Sequence, residues 1–270
     1  MERPDITSIN TVPELFWHNV ENYRDDITMW RKQRGVWESH TWGDYGDWSR
    51  DIGHALIAQG LKSGDKISII SETRMEWVVL DMAIMGIGCI TAPVYPSNTE
   101  EQVKYIVKHS ESKVVFAEDQ EQLDKMLVIW KDLPMVKKIV VIDKYYPRNL
   151  PNVISLDGYR DLGQLHRGEN TGKFEERLKL VKPNDIISFT YTSGTTGNPK
   201  AGMFNSKNVI TVAKNLPDML PTYRTDLGIS YLPLSHIAER LLGHFIKLYS
   251  GYVTVFADSL EDMPYNLRQT

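Results

Sequence analysis

The chain has 270 residues, 41% hydrophobic and 24% charged, an ordinary globular composition with room for one large domain or two modest ones. Its 31 Lys and Arg against 35 Asp and Glu give a net charge of -4, so no basic excess exists to drive bulk binding of nucleic acid or of an anionic membrane. The single cysteine, Cys89, excludes an intrachain disulfide and a multi-thiolate metal site, and points to a reducing compartment.

The first residues, Met1-Glu2-Arg3-Pro4-Asp5, lack the apolar core of a secretory signal. Thr11-Val12-Pro13-Glu14 is a capping box with proline in the first turn, opening a helix that would bury Leu15, Phe16 and Val20. Residues 27–42 alternate around Arg34-Gly35 and predict a two-stranded hairpin. Tyr45, Trp48, Ile52, Ala55, Leu56 and Gln59 then recur at helical spacing, with Gly60 where a helix would stop.

A strand–helix rhythm follows: strand 66–70, helix 74–85, strand 90–94. The most apolar window, 77–95, is broken by Asp81, Gly86, Gly88 and Pro93, and so reads as buried helix and strand rather than a membrane span. Cys89 within it reads as a small buried hydrophobe. Thr99-Glu100-Glu101-Gln102 is a second capping box, opening a helix to about His109. Strand 113–117, helix 121–130 and strand 138–142 come next, then a surface connection at 145–152 and a polar, partly helical stretch at 157–182. Strand 185–191, helix 207–216 ended by Pro217, strand 229–232, helix 236–249 and strand 252–256 complete the pattern. Short β-branched strands alternating with longer helices predict an α/β fold with a mainly parallel sheet covered on both faces. Trp42, Trp48 and Trp77 read as core.

The most informative string is Tyr191-Thr192-Ser193-Gly194-Thr195-Thr196-Gly197-Asn198-Pro199-Lys200, directly after a predicted strand. Gly194 and Gly197 permit positive φ and close backbone approach, and successive N–H groups there can form an anion-binding nest. Thr192, Ser193, Thr195 and Thr196 add hydroxyl donors, Pro199 stiffens the exit, and Lys200 adds a positive charge. Together they predict a polyphosphate site. The Walker pattern does not fit, because Lys200 is preceded by Pro199 and followed by Ala201.

This string resembles the phosphate-loop signature of the adenylate-forming (AMP-binding) enzymes: acyl-CoA synthetases, peptide-synthetase adenylation domains and firefly luciferase. Thr41-Trp42-Gly43-Asp44-Tyr45 and Gly88-Cys89-Ile90-Thr91-Ala92-Pro93-Val94-Tyr95 are similar to further segments of that superfamily. Tyr231-Leu232-Pro233-Leu234-Ser235-His236-Ile237-Ala238-Glu239-Arg240 resembles the version found in long-chain fatty-acid–CoA ligases. The likeness covers residues 11–270.

The resemblance implies mainly parallel sheets flanked by helices, as in the large N-terminal domain of that superfamily. It implies a first α/β subdomain over 65–222, and a second begun by 11–60 and 225–270 and left incomplete. A partly built second subdomain is expected to expose apolar surface over 252–256. The implied chemistry is ATP-dependent activation of a fatty acid to acyl-AMP, followed by thioester formation with coenzyme A, with Mg²⁺ as the hard cation for the phosphates. Thr192, Ser193, Gly194, Thr195, Thr196, Gly197 and Lys200 would hold the phosphates, with Lys200 as catalytic charge partner. His236 would stand between the nucleotide and acyl pockets, behind Ser235 as helix N-cap. No residue is assigned as a metal ligand.

His244 is expected to pack or to face solvent, Glu239-Arg240 to form a local ion-paired face, and the other five histidines show no pairing pattern. The sequence departs from the family at Ala201-Gly202, where the expected tight spot after the lysine is either shifted or filled by a methyl, and at Asn205-Ser206, where a Thr-His pair is usual. Up to Thr270 it shows no Tyr-Gly-x-Thr-Glu motif, no ribose-binding Thr-Gly-Asp motif and no catalytic-lysine domain. It is therefore expected to be the N-terminal portion of a ligase, inactive alone. The expected partners are small molecules rather than nucleic acid, and the expected site is the cytoplasm, with contact to membranes. An aryl- or amino-acid-adenylating enzyme of the same superfamily, or a nonenzymatic polyphosphate-binding module, would carry the same loop.

Overall fold

The computed structural model describes residues 8–33, 35–144, 150, 152–192 and 198–256. Helix α1 (Val12–Asn22) opens on the capping box: the Thr11 hydroxyl accepts from Glu14 N–H at 3.2 Å, and the Glu14 carboxylate accepts from Thr11 N–H at 3.0 Å. Strands β1 (Ile27–Gln33) and β2 (Val36–Thr41) form the antiparallel hairpin. Helix α2 (Trp42–Ala58) is capped by Thr41 and ends before Gly60, whose φ of 81° only glycine adopts freely. The predicted rhythm follows as β3 (Lys66–Ile70), α3 (Met75–Gly86), β4 (Ile90–Val94), α4 (Glu100–Ser110), β5 (Val114–Ala117), α5 (Gln120–Ile129) and β6 (Lys138–Val141).

These strands belong to a seven-stranded sheet of order β7-β6-β5-β3-β4-β8-β9, with β7 (Val153–Ser155), β8 (Ile186–Thr192) and β9 (Lys200–Asn205). Every neighbouring pair is parallel except β8 and β9. Side chains alternate between two buried faces. Ile67, Ile69, Val114, Phe116 and Val140 enter one core, while Ile70, Val115, Ala117, Ile139 and Val141 enter the other with α4 and α5. Burial on both faces is why these strands read as unbroken apolar runs. The edge strands β7 and β9 escaped the sequence reading: β7 has three residues, and the largely exposed Lys200-Ala201-Gly202-Met203 lacks β-branched side chains.

Helices α6 (Leu156–Glu169), α7 (Lys173–Leu178) and α8 (Ser206–Met219) complete the larger layer. Pro217 does not end α8, which continues to Met219 and closes with Leu220 N–H on Leu216 O at 2.9 Å. In the last turn proline forfeits a single backbone hydrogen bond. Asn205 caps α8, and Ser206 Oγ accepts from Val12 N–H, so the departure at Asn205-Ser206 serves a helix start and its tie to α1.

A four-stranded sheet of order β10-β11-β1-β2 contains β10 (Leu227–Ser230) and β11 (Val253–Phe256). Between them run α9 (Ile237–Glu239), a π-helical turn (Arg240–Phe245) and α10 (Ile246–Ser250), where one α-helix was predicted. Strand β11 is parallel to both neighbours, so Tyr252, Val255 and Phe256 are buried, contrary to the expected exposure. One apolar cluster joins the sheets, from Met29 and Phe256 through Trp42, Tyr45 and Trp77 to Ile67 and Ile69. Trp48 is only partly buried. Lys247 of α10 is buried with no carboxylate partner among the described residues, donating to Thr28 O at 2.9 Å, and burial holds its ammonium pKa well below the usual lysine range. Cys89 is buried as expected, and burial pushes its thiol up to about 12. No helix among the described residues is long and apolar enough to cross a membrane.

Helices α2 and α6 meet where Gly163 lies against the backbone of Asp51; a Cβ there would stand 1.8 Å from Asp51 O. Beside this contact His54 Nδ1 and His166 Nδ1 approach to 3.0 Å, a pairing absent from the sequence reading. One imidazole must donate and the other accept, so the pair carries one proton between these atoms. Burial and then the neighbouring His166 lower the His54 pKa to about 4.

Gly163→Ala should destabilise the protein by roughly 1–3 kcal/mol or more, read from the urea midpoint. The His54 pKa lies below its unfolded value near 6.5, so the unfolded chain takes up the extra proton. The stability contributed by neutral His54 is present above pH 6.5 and lost as pH falls towards 4. His54→Gln should flatten the stability profile across that window; an unaltered slope would remove His54 from the titration.

Candidate active site

Antiparallel pairing of β8 with β9 ends on Thr192 opposite Lys200, so the phosphate-type segment connects two strand ends held in register. Ser193, Gly194, Thr195, Thr196 and Gly197 lie outside the described residues. Lys200, read from sequence as part of the loop, is instead the exposed first residue of β9. Gly202 is not a tight spot, since an added Cβ would stand 3.6 Å from Thr190 O, an ordinary contact.

A cavity of about 340 Å³ opens beside these strand ends. Tyr95 and Asn98, just after β4, form one side, and Gln102 and Ile106 of α4 a second. The end of β8 contributes Thr190, Tyr191 and Thr192, and Pro199 lies at the entry to β9. His236 and Ile237 close it from the start of α9. Thr192 and His236, both singled out in the sequence, thus share one cavity; Lys200 flanks it through its pairing with Thr192 rather than lining it.

His236, not Ser235, caps α9: its Nδ1 accepts from Ala238 N–H at 3.1 Å. That bond requires an unprotonated Nδ1 and leaves Nε2–H as the ring donor in the neutral tautomer. Ser235 instead donates to Val94 O. Thr73 pins the approach to this cap by accepting from Leu234 N–H at 3.0 Å and donating to Leu232 O.

Helix α4 holds both ends of the phosphate-type segment. Tyr105 Oη donates to Pro199 O at 3.1 Å, and His109 Nδ1 lies 3.0 Å from the Tyr191 hydroxyl. The Tyr105 and His109 rings stack, their centroids 5.5 Å apart. Burial lifts the Tyr191 hydroxyl to about 12, so it remains a neutral partner in this contact.

Behind the cavity is a fully buried ionic cluster. Arg240, the first residue of the π-helical turn, pairs with Asp81 of α3, with Nε to Oδ2 at 3.2 Å. Asp81 also accepts from the Thr91 hydroxyl at 2.6 Å, while Arg240 donates to Ser188 of β8. The guanidinium lies 5.1 Å from the Trp77 ring centre. Burial works to raise the Asp81 carboxyl, but Arg240, then His244, hold it below the usual carboxylate range. Glu239 and Arg240 therefore do not pair with each other, since Glu239 accepts from Ser230 at 2.6 Å. His244 packs inside, 3.5 Å from Asp81 and kept low in pKa by burial. Arg240 N–H closes on His236 O at 3.1 Å, which ties the cavity's histidine to this cluster.

The profile of a family described as "AMP-binding enzyme" matches residues 16–268. The chain belongs to this family. It is 28% identical over 252 residues to the long-chain-fatty-acid–CoA ligase ACSBG1 of Rattus norvegicus, covering 92% of this chain and 34% of that protein. It is 28% identical over 261 residues to the peroxisomal long chain acyl-CoA synthetase 6 of Arabidopsis thaliana, covering 94% and 36%. The chain thus spans about a third of the length of these relatives.

Its fold is that of the anthranilate CoA ligase AuaEII in complex with anthranoyl-AMP, with a TM-score of 0.76 and 18% identity over 95% of this chain and 46% of that one. The luciferase-like enzyme from the nonluminescent Zophobas morio mealworm gives a TM-score of 0.77 and 17% identity, over 99% and 59%. These solved structures are adenylate-forming folds of mixed α/β type, with parallel sheets flanked by helices.

Sequence reading missed Thr190, the α4 clamp and the Asp81–Arg240 pair in this member of the AMP-binding family. Asp81 had a readable signal, a carboxylate in the apolar interior of α3, and a buried charge needs a partner. Asp81→Asn should cost about 3–5 kcal/mol by stranding a buried guanidinium. The double variant Asp81→Leu with Arg240→Met should recover much of that loss. Denaturant midpoints test both, and losses that simply add would argue against a coupled pair.

Proposed function

We propose that this chain forms the phosphate-binding part of a ligase that activates a long-chain fatty acid with ATP and passes the acyl group to coenzyme A. The observation that carries the reading is the convergence of Thr192 and His236, from remote segments, on one cavity at the C-terminal ends of parallel strands. The family match and the likeness to ligases named for long-chain fatty acids support the reaction class and the substrate. Because the chain spans about a third of those ligases, turnover is assigned to the full-length protein. Within it, residues 65–222 would form a first subdomain, and 11–60 with 225–270 would begin a second.

In the first step a fatty carboxylate oxygen bonds to the α-phosphorus of ATP, and pyrophosphate leaves. In the second the coenzyme A thiol bonds to the acyl carbon, its proton is released, and AMP leaves. The first step brings two anions together, so positive charge and aimed donors lower its barrier. Lys200 would supply the charge beside the departing phosphates, and the Thr192 hydroxyl with residues 193–197 would hold them. His236, with Nε2–H free to donate, would orient the reacting oxygens where nucleotide and acyl group meet. The residues present suit an anion, for the buried hydroxyl of Thr190, a cavity-lining residue, has no partner among the described residues. Among the described residues no cluster of three or more His, Cys, Asp or Glu could hold a metal. Mg²⁺ would supply charge neutralisation for the phosphates, and no step is assigned to it. The reading is of a cytoplasmic enzyme that meets membranes through its fatty substrate.

ATP–pyrophosphate exchange by the full-length protein, with palmitate, benzoate and amino acids offered in turn, tests the reading. Exchange with palmitate is expected. Exchange with benzoate or an amino acid alone would move the substrate to that class, and none with any would leave a phosphate-binding module. Lys200→Ala should lower exchange by about tenfold or more, the scale of a lost charged hydrogen bond, without shifting the melting temperature. Unchanged exchange would remove Lys200 from the role.

A further inference from the structure

Ser188, Thr190 and Thr192 recur at every second position of β8 and so share one face of the strand. Ser188 is committed to Arg240 and to the Thr91 carbonyl. Thr192 is exposed at the strand end. Between them Thr190 is 5% exposed and lines the cavity, yet its Oγ1 has no hydrogen-bond partner among the described residues. Valine has nearly the same shape, a higher strand preference, and no desolvated hydroxyl to leave unsatisfied. A buried hydroxyl without a partner among the described residues, on a residue that lines a cavity of about 340 Å³, is placed to serve what enters that cavity once its side chain turns toward it.

We propose that Thr190 is a ligand-binding residue whose hydroxyl donates to an anionic oxygen, of a carboxylate or a phosphate, held between β8, α4 and His236. The assignment rests on the carboxylate-activating reading of this cavity and adds a contact deeper in the strand than Thr192. The hydroxyl is a neutral donor fixed on a strand of the sheet, so it orients an oxygen that Lys200 helps to attract.

Calorimetry on the 270-residue chain tests this with three probes: sodium pyrophosphate, ATP with magnesium, and palmitate. Thr190→Val should weaken at least one probe about tenfold, and Thr190→Ser should restore most of that loss. Because no protein partner is lost, Thr190→Val should leave the melting temperature unchanged or raise it. Weakening confined to pyrophosphate and ATP identifies a phosphate oxygen as the partner; weakening confined to palmitate identifies the carboxylate. A lower melting temperature with unchanged affinities would make the hydroxyl structural and overturn the assignment. Equal affinities and equal melting temperatures would mean that it seats a water, and would also overturn it. A wild-type chain that binds none of the three probes overturns the reading of the cavity itself, and the assignment with it.

Discussion

The Asp81–Arg240 pair is the interaction on which the arrangement of this protein turns. Both groups are removed from water, and such a transfer costs several kcal/mol per ion unless each lone pair and proton finds a partner. The partners come from separate elements: Thr91 on β4, Ser188 on β8, and the ring of Trp77 on α3. Satisfying them fixes α3, two neighbouring strands and the π-helical turn relative to one another. A π-helical turn widens the helix locally, and such turns concentrate where a helix must present particular side chains. Here it begins at Arg240, whose backbone N–H bonds back to His236.

The cavity inherits its position from the sheet. Strands β4 and β8 are neighbours whose outgoing connections diverge, β4 leading back to β5 on one side and β8 to β9 on the other, and the C-terminal ends of strands at such a divergence form a crevice. Tyr95 follows the end of β4 and Thr192 ends β8, so both stand on that rim. Helix α4 supplies the adjoining wall and, through Tyr105 and His109, the two anchors at Pro199 and Tyr191. The site therefore rests on regular elements, while the glycine-bearing segment spans only the gap between two registered strand ends.

Much of this was legible in the sequence because the signals were local. Capping boxes at Thr11 and Thr99 fixed helix starts, and apolar runs buried on both faces marked β3 to β6. The loop's composition predicted an anion site whose residues 193–197 lie outside the described structure, while Thr192 and His236, both singled out in the sequence, line one cavity. What stayed hidden depends on partners distant along the chain. Arg240 read as half of a pair with Glu239, because sequence adjacency suggests neighbours while burial selects Asp81, 159 residues away. His54 and His166 sit 112 residues apart, and no local pattern joins them. Strand β9 was missed because an exposed edge strand needs little apolar character, and its partner β8 alone defines it.

The smaller sheet closes only through the far end of the chain. Strand β1 pairs with β11, and Asn19 donates to Leu248 O across a sequence separation of 229. Contacts of such sequence separation form late, because the loop-closure entropy is spent before the pairing repays it. During synthesis the β1–β2 hairpin leaves the ribosome long before β11 exists, and two strands without a third are at best marginally stable in water. Until residues 253–256 have been made, one edge of β1 is an open row of peptide groups that another chain could pair with. This molecule thus has its greatest need of a chaperone at its N-terminal hairpin, and that need ends when residues 253–256 slot in beside it.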